Sequence, residues 1–190
     1  MPAARVAVLI SGRGSNLQAL IDAARTPAYP ATLALVLSNT PDAQGLTRAR
    51  DAGIETVVLS HRDFPTRDAF DAAMHQTLID HQIDFICLAG FMRILTPGFV
   101  AGWQGRMVNI HPSLLPKHKG LHTHQAALDA GDTEHGCTIH WVTAELDSGA
   151  TIAQARVPIL KEDTAETLAA RVLIEENKLY PETLQRLLTQ

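Results

Sequence analysis

Apolar residues along this chain follow two spacings. Val6-Ala7-Val8-Leu9-Ile10 is an unbroken β-prone run, the pattern of a strand covered on both faces. After Ser11-Gly12-Arg13-Gly14-Ser15-Asn16, the apolar positions Leu17, Leu20, Ile21 and Ala24 recur at helical spacing, so strand, glycine-rich turn and helix follow one another. Residues 32–39 repeat the strand pattern. A helix expected to open at Pro41-Asp42 carries Leu46, Ala49 and Ala52 and closes at Gly53. Residues 55–59 form a third strand. Thr66 suits an N-cap, Phe70, Ala73, Met74 and Leu78 make the buried stripe of the next helix, and residues 85–89 form the fourth strand. Short connections in this order predict right-handed crossovers and a parallel sheet.

The second half changes character. A helix from 97 to about 103 leads to Met107-Val108-Asn109-Ile110-His111, a strand with Val108 and Ile110 on one face and Asn109 and His111 on the other. Pro112 stops its ladder, since proline has no N–H to donate. Residues 136–143 read as a strand with no helix before the next one. Residues 145–149 turn the chain and 151–159 return it, which predicts an antiparallel addition at the sheet edge. Asp163-Thr164-Ala165-Glu166 has the form of a capping box and starts a long helix with the stripe Ala165, Leu168, Ala169, Val172 and Leu179. Pro181 is expected to begin a last short helix with Leu184, Leu187 and Leu188 facing in. The expected fold is α/β: a three-layer, doubly wound, mostly parallel Rossmann-like sheet with an antiparallel C-terminal addition.

Composition narrows the class. A chain of 190 residues, 46% hydrophobic and 19% charged, can bury one core without staples, so a single domain over 1–190 is expected. A net charge of −4 argues against a nucleic-acid face supported by bulk charge. Cys87 and Cys137 lie in apolar strand-like runs and read as reduced core residues, favouring a cytoplasmic location. The N-terminus enters a strand directly with no signal-peptide pattern, and no apolar run approaches membrane-spanning length.

Six features bear on candidate chemistry. The turn at residues 11–16 aims backbone N–H groups and a positive helix end at an anion. Leu17 stands where a dinucleotide fingerprint needs its third glycine, and no Gly-Lys-Ser/Thr marks a P-loop, so a phosphate monoester fits better than a dinucleotide. A tight turn with a serine cap is the alternative. Asn109 and His111 place an amide and an imidazole side by side where a strand runs out, the place where open α/β sheets take ligands; loop backbone could equally satisfy them. Arg93, inside the apolar run Gly90-Phe91-Met92-Arg93-Ile94-Leu95, either caps a helix or meets a ligand carboxylate. Arg67 would sit in a first helical turn, where the macrodipole disfavours a cation. Glu176 falls on the buried stripe of the long helix and needs a partner, from the protein or from a ligand. The run Lys117-His118-Lys119-Gly120-Leu121-His122-Thr123-His124 contains His-x-His, but no cysteine or close carboxylate completes a ligand set, so metal binding ranks low.

Several of these stretches are long enough to compare with known families. Ser11-Gly12-Arg13-Gly14-Ser15-Asn16-Leu17-Gln18-Ala19-Leu20 resembles the opening of the glycinamide ribonucleotide transformylases. Leu88-Ala89-Gly90-Phe91-Met92-Arg93-Ile94-Leu95 and Asn109-Ile110-His111-Pro112-Ser113-Leu114-Leu115-Pro116 resemble the body of the formyltetrahydrofolate-dependent transferases. Gly120-Leu121-His122-Thr123-His124, His135-Gly136 and Glu145-Leu146-Asp147-Ser148-Gly149 fit as well, so the similarity covers nearly the whole chain. The resemblance implies the formyltransferase fold, with a nucleotide-binding half over about 1–105 and a catalytic and folate-binding half over about 106–190. It implies transfer of a formyl group from 10-formyltetrahydrofolate to the amine of phosphoribosylglycinamide in purine biosynthesis. The implied catalytic set is Asn109, His111 and Asp147. An amide N–H and a protonated imidazole suit the oxyanion that amine attack builds, and a nearby carboxylate suits proton movement at the imidazole. Neither an acylated side chain nor a metal is needed. The implied ribonucleotide site is Gly14, Ser15, Asn16, Leu173, Ile174, Glu175 and Glu176, with Glu176 on the ribose hydroxyls. The implied folate pocket is Arg67, Met92, Arg93, Ile94, Leu95, Asn109, Thr143, Ala144, Glu145, Leu146 and Asp147, the two arginines meeting the anionic tail. The partners implied are these small molecules, with no nucleic acid or membrane, for a monomer or homodimer.

Departures from the family's commonest pattern are Arg13 inside the phosphate loop, Lys117-His118-Lys119 before Gly120, Ser148 after Asp147, and a chain that stops at Gln190. None removes a catalytic group. Formyltetrahydrofolate hydrolases resemble this chain but carry an additional N-terminal regulatory domain, and methionyl-tRNA formyltransferases carry a C-terminal RNA-binding domain; neither addition is expected here. A non-catalytic nucleotide-binding module would leave the Asn109, His111 and Asp147 grouping unexplained.

Overall fold

A computed structural model describes residues 3–190. Seven strands form one sheet in the order β3-β2-β1-β4-β5-β6-β7. They are β1 (Ala4–Ile10), β2 (Ala31–Ser38), β3 (Thr56–Val58), β4 (Phe85–Leu88), β5 (Met107–His111), β6 (Glu134–Trp141) and β7 (Thr151–Pro158). The first five run parallel, and β6 and β7 are each antiparallel to the strand before. This is the architecture the alternating strand and helix patterns predict.

Alternation along the strands divides the core. Val6, Val8, Ile10, Val108, Ile110 and Ile139 face α1 (Ser15–Ala24), α2 (Gln44–Asp51) and α6 (Ala165–Leu188). Ala7, Leu9, Leu35, Leu37 and Met107 face α3 (Arg67–Asp80) and α4 (Pro97–Gly102). The remaining helix, α5 (Thr123–Asp129), leads into β6. Both cysteines are buried and free. Among the described residues no helix is long and apolar enough to cross a membrane.

Four boundaries differ from the sequence pattern, each for a physical reason. The helix expected at Pro41-Asp42 starts at Gln44, because the Gly45 N–H is drawn to the Gly12 carbonyl at 3.0 Å. That contact docks α2 on the glycine turn, where a Cβ on Gly14 would stand 2.7 Å from Gly45 Cα. Strand β6 begins at Glu134, two residues before the expected start, since its ladder with β7 extends to Glu134↔Pro158. The capping box lies one residue later than expected: Thr164 caps α6 reciprocally with Thr167, while Asp163 pairs with Arg171. Finally, Pro181 starts no new helix; α6 runs through it to Leu188. Proline costs the helix one hydrogen bond there. Packing offsets that cost: the Tyr180 hydroxyl donates to the Leu88 carbonyl at 2.8 Å, the Tyr29 hydroxyl donates to the Pro181 carbonyl at 2.8 Å, and Thr183 and Leu184 are buried.

Tyr180 also replaces Leu179 at the centre of the buried stripe, which reads Leu168, Val172, Glu176, Tyr180 and Leu184. Leu179 packs at its edge. The Tyr180 bond to the end of β4 therefore fixes Glu176, one turn earlier, over the C-terminal edge of the sheet.

Candidate active site

Strand order reverses between β1 and β4, and the loops leaving these two strands diverge there. In open α/β sheets such a reversal opens a crevice. Residues Ser11, Gly12, Arg13, Gly14, Ser15 and Asn16 line it from the β1 side, and Ala89, Gly90 and Met92 from the β4 side. Its volume is about 320 Å³. Gly14 takes the left-handed conformation, φ 73°, at the N-terminus of α1, and no side chain caps that end. The serine-capped turn is thus not what forms; the first N–H groups of α1 have no intrahelical partner. Ser11 ties the two walls together, its hydroxyl accepting from the Met92 N–H at 2.7 Å and donating to the Asn39 side chain.

Glu176 approaches from α6. It is 7% exposed, and burial pushes its carboxyl up to about 7, with the Asn16 amide pulling the other way. Asn16 Oδ1 is buried with no hydrogen-bond partner. Of the remaining α6 positions expected beside a ribonucleotide, Ile174 is exposed and Glu175 pairs with Lys178 at 3.0 Å. None of Leu173, Ile174, Glu175 and Glu176 lines the crevice itself; Glu176 reaches it only through its contact with Asn16.

A second cleft opens beyond β4 and β5. Leu88, Phe91, Arg93, Ile94, Leu95, Asn109, His140 and residues 142–147 line it. It joins most of the expected folate residues: Arg93, Ile94, Leu95, Asn109, Thr143, Ala144, Glu145, Leu146 and Asp147. Met92 belongs instead to the wall of the first crevice, and Arg67 is exposed in the first turn of α3, outside both linings. Met92, Ile94 and Leu146 are more than half exposed, leaving apolar surface at the mouths. Arg93 Nε is buried without a partner, so it has an N–H left to donate to an acceptor.

Asn109, His111 and Asp147 come together as expected. His111 Nδ1 stands 3.5 Å from Asp147 Oδ2, both side chains almost fully buried. The other ring nitrogen, Nε2, donates to the His118 carbonyl at 2.9 Å. The carbonyl oxygen only accepts, so this ring nitrogen carries a hydrogen and Nδ1 faces the carboxylate. The Gly120 N–H donates to the same Asp147 oxygen at 2.9 Å. Asp147 itself has φ 50°, an uncommon conformation for a residue with a Cβ.

One member of the cluster escaped the sequence reading. His140 lies directly across the β5–β6 ladder from Asn109. Its Nδ1 donates to the Trp141 carbonyl at 3.0 Å, so Nε2 is free to accept from Asn109 Nδ2 at 3.1 Å. Burial, the largest effect, lowers the imidazole's proton affinity and keeps that lone pair available, although Asp147 pulls the other way. Behind the cluster, His124 Nδ1 and His135 Nε2 share a contact of 3.1 Å. Burial and their neighbours lower both rings, His135 to about 4. Among the described residues no group of three or more His, Cys, Asp or Glu is arranged to hold a metal ion.

Comparison with known proteins agrees with this geometry. A family model described as formyl transferase matches residues 4–184. The phosphoribosylglycinamide formyltransferase of Escherichia coli is 51% identical over 176 residues, covering 93% of this chain and 83% of that protein. The trifunctional purine biosynthetic protein adenosine-3 of Drosophila pseudoobscura is 54% identical over 185 residues, and this chain spans only 14% of its length. The crystal structure of phosphoribosylglycinamide formyltransferase from Brucella melitensis superposes with a TM-score of 0.95 at 50% identity, covering 99% of this chain and 97% of that one. Matched from β1 into α6 by sequence and along nearly its whole length by structure, this chain belongs to the formyl transferase family.

Proposed function

We propose that this chain transfers the formyl group of 10-formyltetrahydrofolate to the amine of 5′-phosphoribosylglycinamide, giving the N-formyl ribonucleotide and tetrahydrofolate. One observation carries the reading: an amide, an imidazole and a carboxylate converge beside an apolar cleft, and the loop leaving β4 lines both that cleft and the crevice at the uncapped start of α1. A phosphate suits the uncapped start of α1, where Gly14, Ser15 and Asn16 offer backbone N–H groups. Glu176 suits ribose hydroxyls, which would donate to its carboxylate. The apolar cleft and the unpartnered Arg93 Nε suit a folate ring.

Formyl-folate, when bound, supplies an activated one-carbon unit on N10. Asn109 spends one amide N–H on His140, and the other is left to donate to the formyl oxygen as charge gathers there. His111 places positive charge beside Asn109. Asp147 orients His111 and takes up the proton that the attacking amine sheds. His111 delivers a proton toward N10 as the carbon–N10 bond breaks. One carbon–nitrogen bond forms, one breaks, and one proton moves between the two nitrogens.

The test is folate turnover with and without phosphoribosylglycinamide. The reading expects tetrahydrofolate to form only when the ribonucleotide is present. Equal turnover in both reactions would overturn it and identify a hydrolase.

A further inference from the structure

The segment 117–120, between β5 and α5, reaches the cluster only through its backbone. The His118 carbonyl receives His111 Nε2–H at 2.9 Å, and the Gly120 N–H holds Asp147 Oδ2 at 2.9 Å. Backbone groups keep their aim only while the chain that carries them is fixed. His118 has φ 54°, a left-handed conformation that a residue with a Cβ adopts at a cost, so a contact elsewhere must hold it.

That contact is Asp132, in the turn between α5 and β6. One carboxylate oxygen receives His118 Nε2 at 2.7 Å and the other receives Lys117 Nζ at 2.8 Å. The His118 and Asp132 side chains are 16% and 14% exposed, so solvent screens this pair less than an open surface pair. His118 first, then Lys117, holds the Asp132 carboxyl below its ordinary value. The anchor is itself secured, since the Asp132 N–H donates to the carbonyl of fully buried Ala127 at 3.1 Å. The free end of the segment is tied as well, by Lys119 Nζ donating to Ser148 Oγ at 2.6 Å, one residue after Asp147. Lys117, His118, Lys119 and Ser148 are thereby joined into one strap.

We propose that Asp132 is a positioning residue for formyl transfer, latching His118 and Lys117 so that the strap's backbone holds His111 and Asp147 in register. Asp132 touches neither of them. The proposal rests on the reading that His111 and Asp147 carry the reaction.

The test compares the full chain with Asp132→Ala, Asp132→Glu and His118→Phe. Asp132→Ala and His118→Phe are expected to lower kcat about tenfold or more, a loss of the size that follows when an orienting hydrogen bond is released. Both KM values should stay within about twofold, the split expected when only transition-state interactions are lost. Asp132→Glu should recover most of the activity. The His111 Nε2–H proton resonance should shift or broaden in the two latch-breaking variants. Wild-type kcat with an unchanged His111 resonance in a folded Asp132→Ala or His118→Phe protein overturns the proposal, even if the melting temperature falls. His118→Phe keeps the backbone carbonyl and serves if Asp132→Ala does not fold. Wild-type protein without ribonucleotide-dependent turnover would overturn the functional reading alone, because the His111 resonance still reports on the latch.

Discussion

His140 accepts a hydrogen bond from Asn109 across the β5–β6 ladder, Nε2 to Nδ2, at 3.1 Å. This contact fixes which way the Asn109 amide points and so where its second N–H can donate. A ring that lost the lone pair on Nε2 would turn the contact into two donors facing each other. His140→Phe is therefore expected to lower kcat about 10- to 100-fold, equivalent to losing about 1–3 kcal/mol of orientation, with little change in either KM. His140→Gln, whose carbonyl can still accept, should recover part of the loss. Steady-state kinetics of both variants checks this.

Gly149 protects the same contact from behind. A Cβ there would stand 1.7 Å from the Trp141 carbonyl oxygen, which receives His140 Nδ1–H. Gly149→Ala must push that carbonyl away, so it is expected to lower the melting temperature and also reduce kcat. A variant that loses stability at wild-type kcat would separate the glycine from the site.

Glu176 makes stability depend on pH in one direction. Burial raises its carboxyl from an ordinary 4.5 to about 7, so between these values the folded chain keeps a proton that the unfolded chain has released. Its contribution is complete below pH 4.5 and is lost as pH rises through 7, a change on the order of 3 kcal/mol. Melting temperatures measured from pH 5 to 8 should show this fall in the wild type and a flatter profile in Glu176→Gln. Ribose hydroxyls favour the ionised form, so the ribonucleotide KM of the wild type should fall over the same interval.

His135 acts in the opposite direction. Burial first, then His124 and His118 beside it, lowers the ring from 6.5 to about 4. Below pH 6.5 the unfolded chain takes up a proton that the folded chain refuses. This contribution is present above pH 6.5 and is lost as pH falls toward 4. His135→Gln should flatten the acid side of the stability profile, as measured by thermal unfolding from pH 4.5 to 7.

What the sequence made legible was mostly local. The β1–glycine turn–α1 unit could be read because the apolar period switches from a continuous run to helical spacing within a few residues. Asn109 and His111 could be paired because a strand alternates. Glu176 stood out as a carboxylate on an apolar stripe. Asp147 joined them only through the family resemblance, since nothing in its own turn points to His111. His140 was hidden because its meeting with Asn109 depends on the cross-strand register, and the pattern placed β6 two residues late. Pro181 misled because a local rule about proline yields when Tyr29 and Tyr180 pin both sides of it. The strap was out of reach for a related reason: His118 and Lys117 find Asp132 only once α5 has folded back.

His111 is the group proposed to carry charge and proton during formyl transfer, and the turnover of His111→Ala tests that role most directly. With the ribonucleotide still bound and the fold intact, kcat should fall by about 10²–10⁴-fold, the range expected for a lost general acid–base group. Wild-type turnover in that variant would contradict the account.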